Sequence, residues 1–295
     1  MSTSPESGEL FAQANGLTLC WQAFGAPTDP ALLLVMGLGA QMIWWEDDFC
    51  RMLAGRGYYV VRFDNRDIGR STYMSAPPPD LARVFSGAEV LKAPYLLDDM
   101  ARDAVALMDA LGMIDAHVVG ASMGGMIAQL MAIHNPERVR TLTSIMSTTG
   151  ERGFPAPRPE VWAALMAPPP LTVEAFIEAN VRMAELLRGY ADSGEAEDAR
   201  ARATKAARRG LNPPGGVRQT AAILASGGRK DMLAKVSAPT LVIHGPDDPL
   251  VPVEAGRATA SAIPGAKLIE FAPMGHTMPR ALWPALTDAI AAHAR

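Results

Sequence analysis

Short apolar runs alternate along the chain with longer segments in which apolar residues recur every three or four positions. Their length and composition predict buried strands, whereas the periodic segments 45–55 and 95–111 predict helices. Strands that alternate with helices are typical of a mostly parallel sheet with helices on both faces. Strands at 9–15 and 17–24, joined at Gly16, predict an opening hairpin. The apolar runs lie at residues 31–35, 58–63, 116–119, 141–146, 240–244 and 267–271.

The alternation stops between residues 147 and 235. Several prolines interrupt this segment, helical patterns cover 171–188 and 195–209, and Pro213-Pro214-Gly215-Gly216 is expected to break the chain again. We expect an all-helical cap inserted over one edge of the sheet. The predicted domains are a core formed by residues 1–147 and 236–295 and a cap formed by residues 148–235.

A serine between two glycines follows the apolar run 116–119, in the segment Gly120-Ala121-Ser122-Met123-Gly124. A sharp turn from a strand into a helix needs Gly120 and Gly124, because a Cβ there would collide with neighbouring backbone. Ser122 Oγ would then stand at the edge of the sheet and beside a helix N-terminus, which stabilises negative charge. Because G-x-S-x-G also occurs in ordinary turns, its context decides whether it predicts a nucleophile.

Two later strand ends supply that context. The strand at 240–244 is followed by Gly245-Pro246-Asp247-Asp248-Pro249, and the strand at 267–271 is followed by Met274-Gly275-His276. The chain order serine, acid, histidine is that of the α/β-hydrolases and differs from the orders in chymotrypsin and subtilisin. Neighbouring side chains of an extended turn cannot both reach one imidazole, and the spacing from Gly245 favours Asp248 over Asp247.

A glycine turn, Met36-Gly37-Leu38-Gly39, follows the strand at 31–35. Gly37 and Gly39 let the backbone bend so that an amide points at a reacting carbonyl oxygen. The expected oxyanion-hole donors are the backbone N–H groups of Leu38 and Met123. One such donor contributes about 3–4 kcal/mol of transition-state stabilisation. A plain glycine turn is the structural alternative.

The motifs resemble those of the α/β-hydrolase superfamily over nearly the whole chain, and within it those of the aclacinomycin methylesterase group. This resemblance implies Ser122 as the nucleophile, His276 as the general base and Asp248 as the acid, with the Leu38 and Met123 amides as the oxyanion hole. It does not extend through residues 150–235, which we expect to shape the pocket, and therefore implies no substrate. The segments that carry it are LLLVMG at 32–37, VRFDNRDIGRS at 61–71, HVVGASMG at 117–124, PTLVI at 239–243, DP at 248–249 and MGH at 274–276.

Four side chains are candidates for the substrate pocket. Trp44 and Trp45 follow the glycine turn, and one of them is expected to face the site while the other packs in the core. Met166 and Met183 of the cap are candidates for an adaptable acyl pocket, although methionines at helical spacing are also common core residues. His117 and His244 lie inside apolar strands and are interpreted as hydrogen-bonded core residues.

Charged residues outside these motifs are given structural interpretations. The segment Asp64-Asn65-Arg66-Asp67 is expected to form ion pairs that brace its loop. Asp98, Asp99 and Asp103 are expected on the wetter side of the 95–111 helix. The basic face of the 195–209 helix is interpreted as solvated surface, because alanines interrupt it and acidic residues balance it. That face comprises Arg200, Arg202, Lys205, Arg208 and Arg209.

Composition bounds the remaining classes of function. The chain has 295 residues, 49% of them hydrophobic and 20% charged, enough for one large core or a core with a lid. A net charge of −4 offers no basic surface for nucleic acid. The first residues show no positive leader and no secretory apolar run, and no stretch is long enough to span a bilayer, so we expect a soluble cytoplasmic protein. The two cysteines, Cys20 and Cys50, are expected to be small buried residues.

The sequence therefore predicts a serine hydrolase of the carboxylesterase class. It would cleave a small-molecule ester, of short or medium acyl chain or a methyl ester, through a Ser-His-Asp triad and an acyl-enzyme, without metal or organic cofactor. The same machinery fits an enol-lactonase, a carbon–carbon bond hydrolase or a cofactor-free perhydrolase, because fold and triad do not fix the substrate. A non-catalytic ligand receptor is the alternative from another class. Oligomeric state is left open.

Overall fold

A computed structural model of the chain describes residues 6–188 and 195–295. The strands in this part are β1 (Leu10–Ala14), β2 (Leu17–Phe24), β3 (Ala31–Val35), β4 (Tyr59–Phe63), β5 (Ala116–Ala121), β6 (Val139–Ile145), β7 (Thr240–His244) and β8 (Lys267–Glu270). The helices are α1 (Asp47–Ala54), α2 (Leu81–Phe85), α3 (Leu97–Ala110), α4 (Met123–His134), α5 (Pro159–Leu165), α6 (Val173–Arg188), α7 (Glu195–Arg209), α8 (Pro213–Ser226), α9 (Lys230–Leu233), α10 (Val253–Ala262) and α11 (Trp283–His293). The expectation of no leader falls partly on residues 1–5, which lie outside the described residues.

Within the described residues the strands form one eight-stranded sheet in the order β1-β2-β4-β3-β5-β6-β7-β8. The opening hairpin is antiparallel, and β2 pairs antiparallel with β4. All pairings from β4 to β8 are parallel. The carboxyl ends of these parallel strands meet at one edge, where open α/β sheets bind ligands. The predicted α/β-hydrolase architecture, a mostly parallel sheet flanked by helices, is confirmed.

Apolar side chains cover both faces of this sheet. One cluster joins the sheet to α3 and α4, and a second joins it to α1 and α11. Strand β5 is buried along its whole length, as expected for a central parallel strand. Helix α4 is buried over nearly all of its circumference, so the turn that connects β5 to α4 sits on a rigid support.

The segment between β6 and β7 is helical, with α6 and α7 where helices were predicted and α8 where a break was predicted. The segment Pro213-Pro214-Gly215-Gly216 was expected to break the chain, and it instead forms the first turn of α8. A proline at the first helical position lacks only an N–H that no helix uses there, so it favours a helix start. The short helix α5 begins at Pro159 in the same way. The division into a core and a cap at residues 148 and 235 stays a prediction.

Buried ion pairs attach this helical segment to the sheet. Arg209 Nη2 lies 2.8 Å from Asp64 Oδ2, and Arg218 Nη2 lies 2.7 Å from Asp67 Oδ1. The bracing ion pairs expected around Asp64 and Asp67 are therefore present. The interpretation of Arg209 as solvated surface is wrong, since its side chain is only 7% exposed.

Asp103 was also expected on the wetter side of its helix, and this too is wrong. Its carboxylate is 2% exposed and lies 2.5 Å from Arg66 Nε. Helical spacing placed Asp103 on a polar face, but the loop after β4 covers that face and supplies a guanidinium.

Candidate active site

Ser122 occupies a strained turn between β5 and α4. Its φ of 55° and ψ of −121° are unusual for a residue with a side chain. A Cβ on Gly120 would lie 2.1 Å from the Gly124 carbonyl oxygen, and a Cβ on Gly124 would lie 2.1 Å from the Val35 carbonyl oxygen. Glycine is therefore required at both positions, for the steric reason inferred from the sequence.

Ser122, His276 and Asp248 form one hydrogen-bonded line. His276 Nε2 lies 2.9 Å from Ser122 Oγ, and His276 Nδ1 lies 2.8 Å from Asp248 Oδ2. An ionised carboxylate only accepts hydrogen bonds, so Nδ1 carries the proton and, in the neutral ring, Nε2 is left as an acceptor for the serine hydroxyl. Three side chains from separate strand ends thus meet with the geometry of a nucleophile, a base and an orienting acid.

Asp248 is buried and fully engaged. Its Oδ1 accepts from the backbone amides of Leu250 and Val251 at 2.9 and 2.8 Å. Burial alone would raise the pKa of this carboxyl, but the charge of His276 and hydrogen bonds from His244, His276 and the Val251 amide outweigh it and hold the pKa well below its usual range. Asp248 is therefore ionised at neutral pH.

The other predicted histidine and aspartate positions have different surroundings. Asp247 is exposed. His244 is fully buried, with Nε2 2.9 Å from the Val251 carbonyl oxygen and 3.5 Å from Asp248 Oδ2. His117 is buried and bonds Thr141 Oγ1 at 2.9 Å. Both histidines are core residues, but the approach of His244 to Asp248 was not predictable from the sequence pattern.

The glycine turn after β3 approaches Ser122 closely. A Cβ on Gly37 would lie 3.1 Å from Ser122 Cβ, and Gly39 has a φ of +69°. In the described part of the chain, the Leu38 amide donates no hydrogen bond to another group. Met123 is the first residue of α4, where backbone N–H groups have no partner within the helix. Two amides are thus available near the serine.

A cavity of about 890 Å³ opens above Ser122 and His276. Trp44, Met166 and Met183 line it, together with Gly37, Leu38 and Gly39. Trp45 does not, because its side chain is fully buried in the apolar cluster around α1. Of the two candidate tryptophans, Trp44 therefore lines the cavity, and Trp45 packs in the core and is not a pocket residue.

Much of the cavity wall was not predicted. Helix α8 supplies Val217 and Thr220, and the first turn of this helix was interpreted as a break. Thr277, directly after His276, also lines the wall, and its adjacency to the histidine was an available signal. Many of the other lining residues come from residues 79–85, 164–170 and 176–188.

Two features are absent from the described residues. The described residues contain no cluster of three or more His, Cys, Asp or Glu that could hold a metal ion. Among the helices of residues 6–188 and 195–295, none combines the length and apolar content that a membrane span requires.

Comparison with known proteins agrees with the observed fold. The family model for the alpha/beta hydrolase fold matches residues 30–279. Rhodomycin D methylesterase DnrP of Streptomyces peucetius is 32% identical over 298 residues, which cover 95% of each chain. The chain belongs to the alpha/beta hydrolase fold family. The resemblance to methylesterases of the aclacinomycin type is confirmed.

Other members of the family are similar over most of the chain. The 3-oxoadipate enol-lactonase 2 of Acinetobacter baylyi is 27% identical over 255 residues, covering 83% of this chain and 81% of the lactonase. The crystal structure of a hydrolase from Pseudomonas aeruginosa PA01 aligns with a TM-score of 0.70 at 26% identity, covering 97% of this chain and 98% of the other. These relatives are named as a methylesterase, an enol-lactonase and a hydrolase.

Proposed function

We propose that this alpha/beta hydrolase is a serine carboxylic ester hydrolase. The observation that carries the proposal is the hydrogen-bonded line from Ser122 Oγ through His276 to Asp248, at 2.9 and 2.8 Å. In this proposal Ser122 is the nucleophile, His276 the general base and then acid, and Asp248 the group that orients the imidazole. The amides of Leu38 and Met123 are the oxyanion hole.

The first half-reaction forms an acyl-enzyme. As Ser122 Oγ attacks the ester carbonyl carbon, its proton moves to His276 Nε2, and the carbonyl oxygen becomes an oxyanion facing the two amides. The ionised Asp248 stabilises the imidazolium through Nδ1–H. When the tetrahedral intermediate collapses, the carbon–oxygen bond to the alcohol breaks, and His276 returns the proton to the departing oxygen.

The second half-reaction releases the acid. Water enters the position left by the alcohol and gives one proton to His276 Nε2 as its oxygen attacks the acyl carbon. Collapse of this second intermediate breaks the bond to Ser122 Oγ, which takes the proton back from the imidazolium. The balance is one ester and one water consumed for one acid and one alcohol.

The pocket supports a methyl ester of a bulky acid as the substrate. A cavity of about 890 Å³ lies near the upper end of the range for ligand sites, which is roughly 300–1,000 Å³. Its wall near Ser122 is mostly apolar, and the similar protein from Streptomyces is named as a methylesterase acting on rhodomycin D. We therefore propose that the acyl part fills the cavity and that the alcohol is small.

An enol-lactonase is the second candidate, favoured by the similarity to 3-oxoadipate enol-lactonase 2. Its substrate is a cyclic ester, which the same serine machinery would open. A small lactone acid would leave most of the large cavity empty, so the cavity volume favours the open-chain ester. A cytoplasmic location stays a prediction.

The test is Ser122→Ala together with covalent labelling. The variant should fold as the wild type does and lose ester hydrolysis by several orders of magnitude, about 10⁴-fold or more. A fluorophosphonate probe should label the wild type on Ser122 alone, as read by peptide mass spectrometry. Labelling at another residue, or activity retained in the alanine variant, would remove Ser122 from the nucleophile role.

A further inference from the structure

The glycine turn that carries the Leu38 amide is held from both sides by buried side-chain amides. Asn65 Nδ2 donates to the Met36 carbonyl oxygen at 2.9 Å. The Gly39 N–H donates to Gln219 Oε1, also at 2.9 Å. These two bonds fix the peptide units before and after the one that contains the Leu38 N–H.

Gln219 is held in one orientation. Its Nε2 donates to the Arg66 carbonyl oxygen at 2.9 Å while its Oε1 accepts from Gly39. If the Gln219 amide were flipped, its NH2 group would face the Gly39 N–H and its oxygen would face the Arg66 carbonyl oxygen. Both partners therefore fix the direction of the amide. The side chain is completely buried, where an unpaired amide is costly and the bonded arrangement is correspondingly rigid.

The peptide unit between these anchors is the one that must not rotate. Gly37 and Gly39 flank Leu38, and Gly39 has positive φ, so the local sequence resists rotation weakly. Within the turn, the Gly37 carbonyl oxygen accepts only a long bond of 3.4 Å from the Ala40 amide. The direction of the Leu38 N–H therefore depends on contacts from outside the turn.

We infer that Gln219 and Asn65 are positioning residues for the oxyanion hole, an inference that rests on the proposed ester hydrolysis. Gln219 belongs to α8, in the helical segment between β6 and β7, so this segment completes the catalytic turn as well as forming the wall of the pocket. Gln219 itself does not line the cavity, whereas its neighbours Gly216, Val217 and Thr220 do. Loss of its hydrogen bonds should therefore affect the transition state more than substrate binding.

The test compares Gln219→Met with Asn212→Ala. Methionine keeps the length of the side chain and removes both hydrogen bonds. Asn212 is a matched control, because its Nδ2 also joins this helical segment to a core backbone carbonyl, that of Asp67, at 2.9 Å, away from the glycine turn. For each protein we would measure kcat and KM with 4-nitrophenyl butyrate, the rate constant for fluorophosphonate labelling, and the thermal midpoint.

In Gln219→Met we expect kcat and the labelling rate to fall by about tenfold to a hundredfold, with KM changed by less than about twofold. The probe's phosphoryl oxygen occupies the oxyanion hole as fluoride leaves, so both rates report on the same amides. Asn212→Ala should keep both rates within about twofold of the wild type. Wild-type rates in a folded Gln219→Met, or an equal fall in Asn212→Ala, would overturn the inference.

Asn65→Asp provides an independent arm if Gln219→Met does not fold. It keeps the size of the side chain and replaces the donor to Met36 with an acceptor, so the same loss of kcat at unchanged KM is expected. Wild-type kcat in Asn65→Asp would count against the inference. A wild-type protein that neither cleaves the ester nor reacts with the probe would instead refute the proposed function.

Discussion

Asp247 and Asp248 are adjacent in the chain but differ in their surroundings. Asp248 is buried and accepts hydrogen bonds from two backbone amides and from the His276 imidazole, whereas Asp247 is exposed. We predict that Asp248→Asn lowers kcat by about 10³–10⁴-fold, because an amide favours the wrong tautomer of the imidazole. Asp247→Asn should stay within about twofold of the wild type. Steady-state kinetics on both variants decides this, and the reverse ranking would transfer the role of the acid to Asp247.

His117 carries a pH dependence of stability rather than of catalysis. Burial, with smaller contributions from the charges of Arg140 and His293 and against the opposing charge of Asp115, lowers the pKa of His117 from 6.5 to about 4. Between pH 4 and pH 6.5, His117 therefore binds a proton in the unfolded chain but stays neutral in the folded protein. The neutral, buried His117 therefore contributes fully to the free energy of unfolding above pH 6.5. This contribution is lost as the pH falls toward 4, by about 3 kcal/mol in total.

The corresponding prediction uses His117→Asn, which keeps a polar side chain facing Thr141 but does not titrate. Urea unfolding between pH 4 and 7 should show a steeper loss of stability in the wild type than in the variant. The two curves are expected to converge toward the acid end. Parallel curves over this range would mean that His117 titrates alike in the folded and unfolded states.

At the scale of elements, the ion pair between Arg218 of α8 and Asp67 of the loop after β4 joins the helical segment to the sheet. Both side chains are buried, and Asp67 also accepts from Tyr95 Oη and the Met74 amide. We predict that Arg218→Met lowers the free energy of unfolding by about 3 kcal/mol, because it leaves a buried carboxylate without its cation. Urea unfolding measures this.

Arg257→Met is the matched control, since Arg257 pairs with Glu270 at a similar distance of 2.7 Å but on the surface. Solvent and salt screen such a pair, so we expect little change in its unfolding midpoint. Equal effects of the two substitutions would mean that burial does not strengthen the attachment of α8.

The sheet and the turn at Ser122 were predictable because local sequence determines them. A buried parallel strand such as β5 has an apolar run of its own, and Gly120 and Gly124 meet a steric requirement set by nearby backbone. Helix α8 was not predictable in this way, because its prolines and glycines resemble a break. Arg209 and Asp103 were misinterpreted because each is buried in an ion pair with a residue far away in the chain, which the local pattern of charges does not reveal.

At the scale of the whole molecule, sequence order identified the three side chains that the fold brings together. Each follows a parallel strand of the same sheet, and the carboxyl ends of these strands lie at one edge, so the three side chains come close together in the fold. Their catalytic roles stay predictions until tested by substitution. The residues of the pocket wall cannot be predicted in this way. They belong largely to helices that pack over the sheet edge, and the sequence of these helices contains no recognisable motif. That is why the sequence did not decide which of Trp44 and Trp45 lines the cavity, and why α8 was missed.

The last prediction concerns the size of the acyl chain. The cavity of about 890 Å³ lies between the sheet edge and the helical segment, so a soluble ester that enters it should be preferred over one held in an oil surface. Against this, Phe85 of the cavity lining is partly exposed, and Trp162, Leu171 and Val173 expose apolar side chains close to the lining segments in the chain. Such exposed apolar side chains would favour contact with a lipid interface.

Measuring kcat/KM for 4-nitrophenyl esters from acetate to palmitate separates these possibilities. We expect the maximum at short or medium chains, no increase on emulsified triglyceride, and efficient cleavage of methyl esters of bulky acids, because the enclosed volume admits a compact acyl group. Trp162→Ser provides the control, and it should leave the cleavage of soluble esters unchanged. A maximum at the longest chains, or activation by an emulsion that Trp162→Ser abolishes, would identify the exposed apolar side chains as a lipid-binding surface and the enzyme as a lipase.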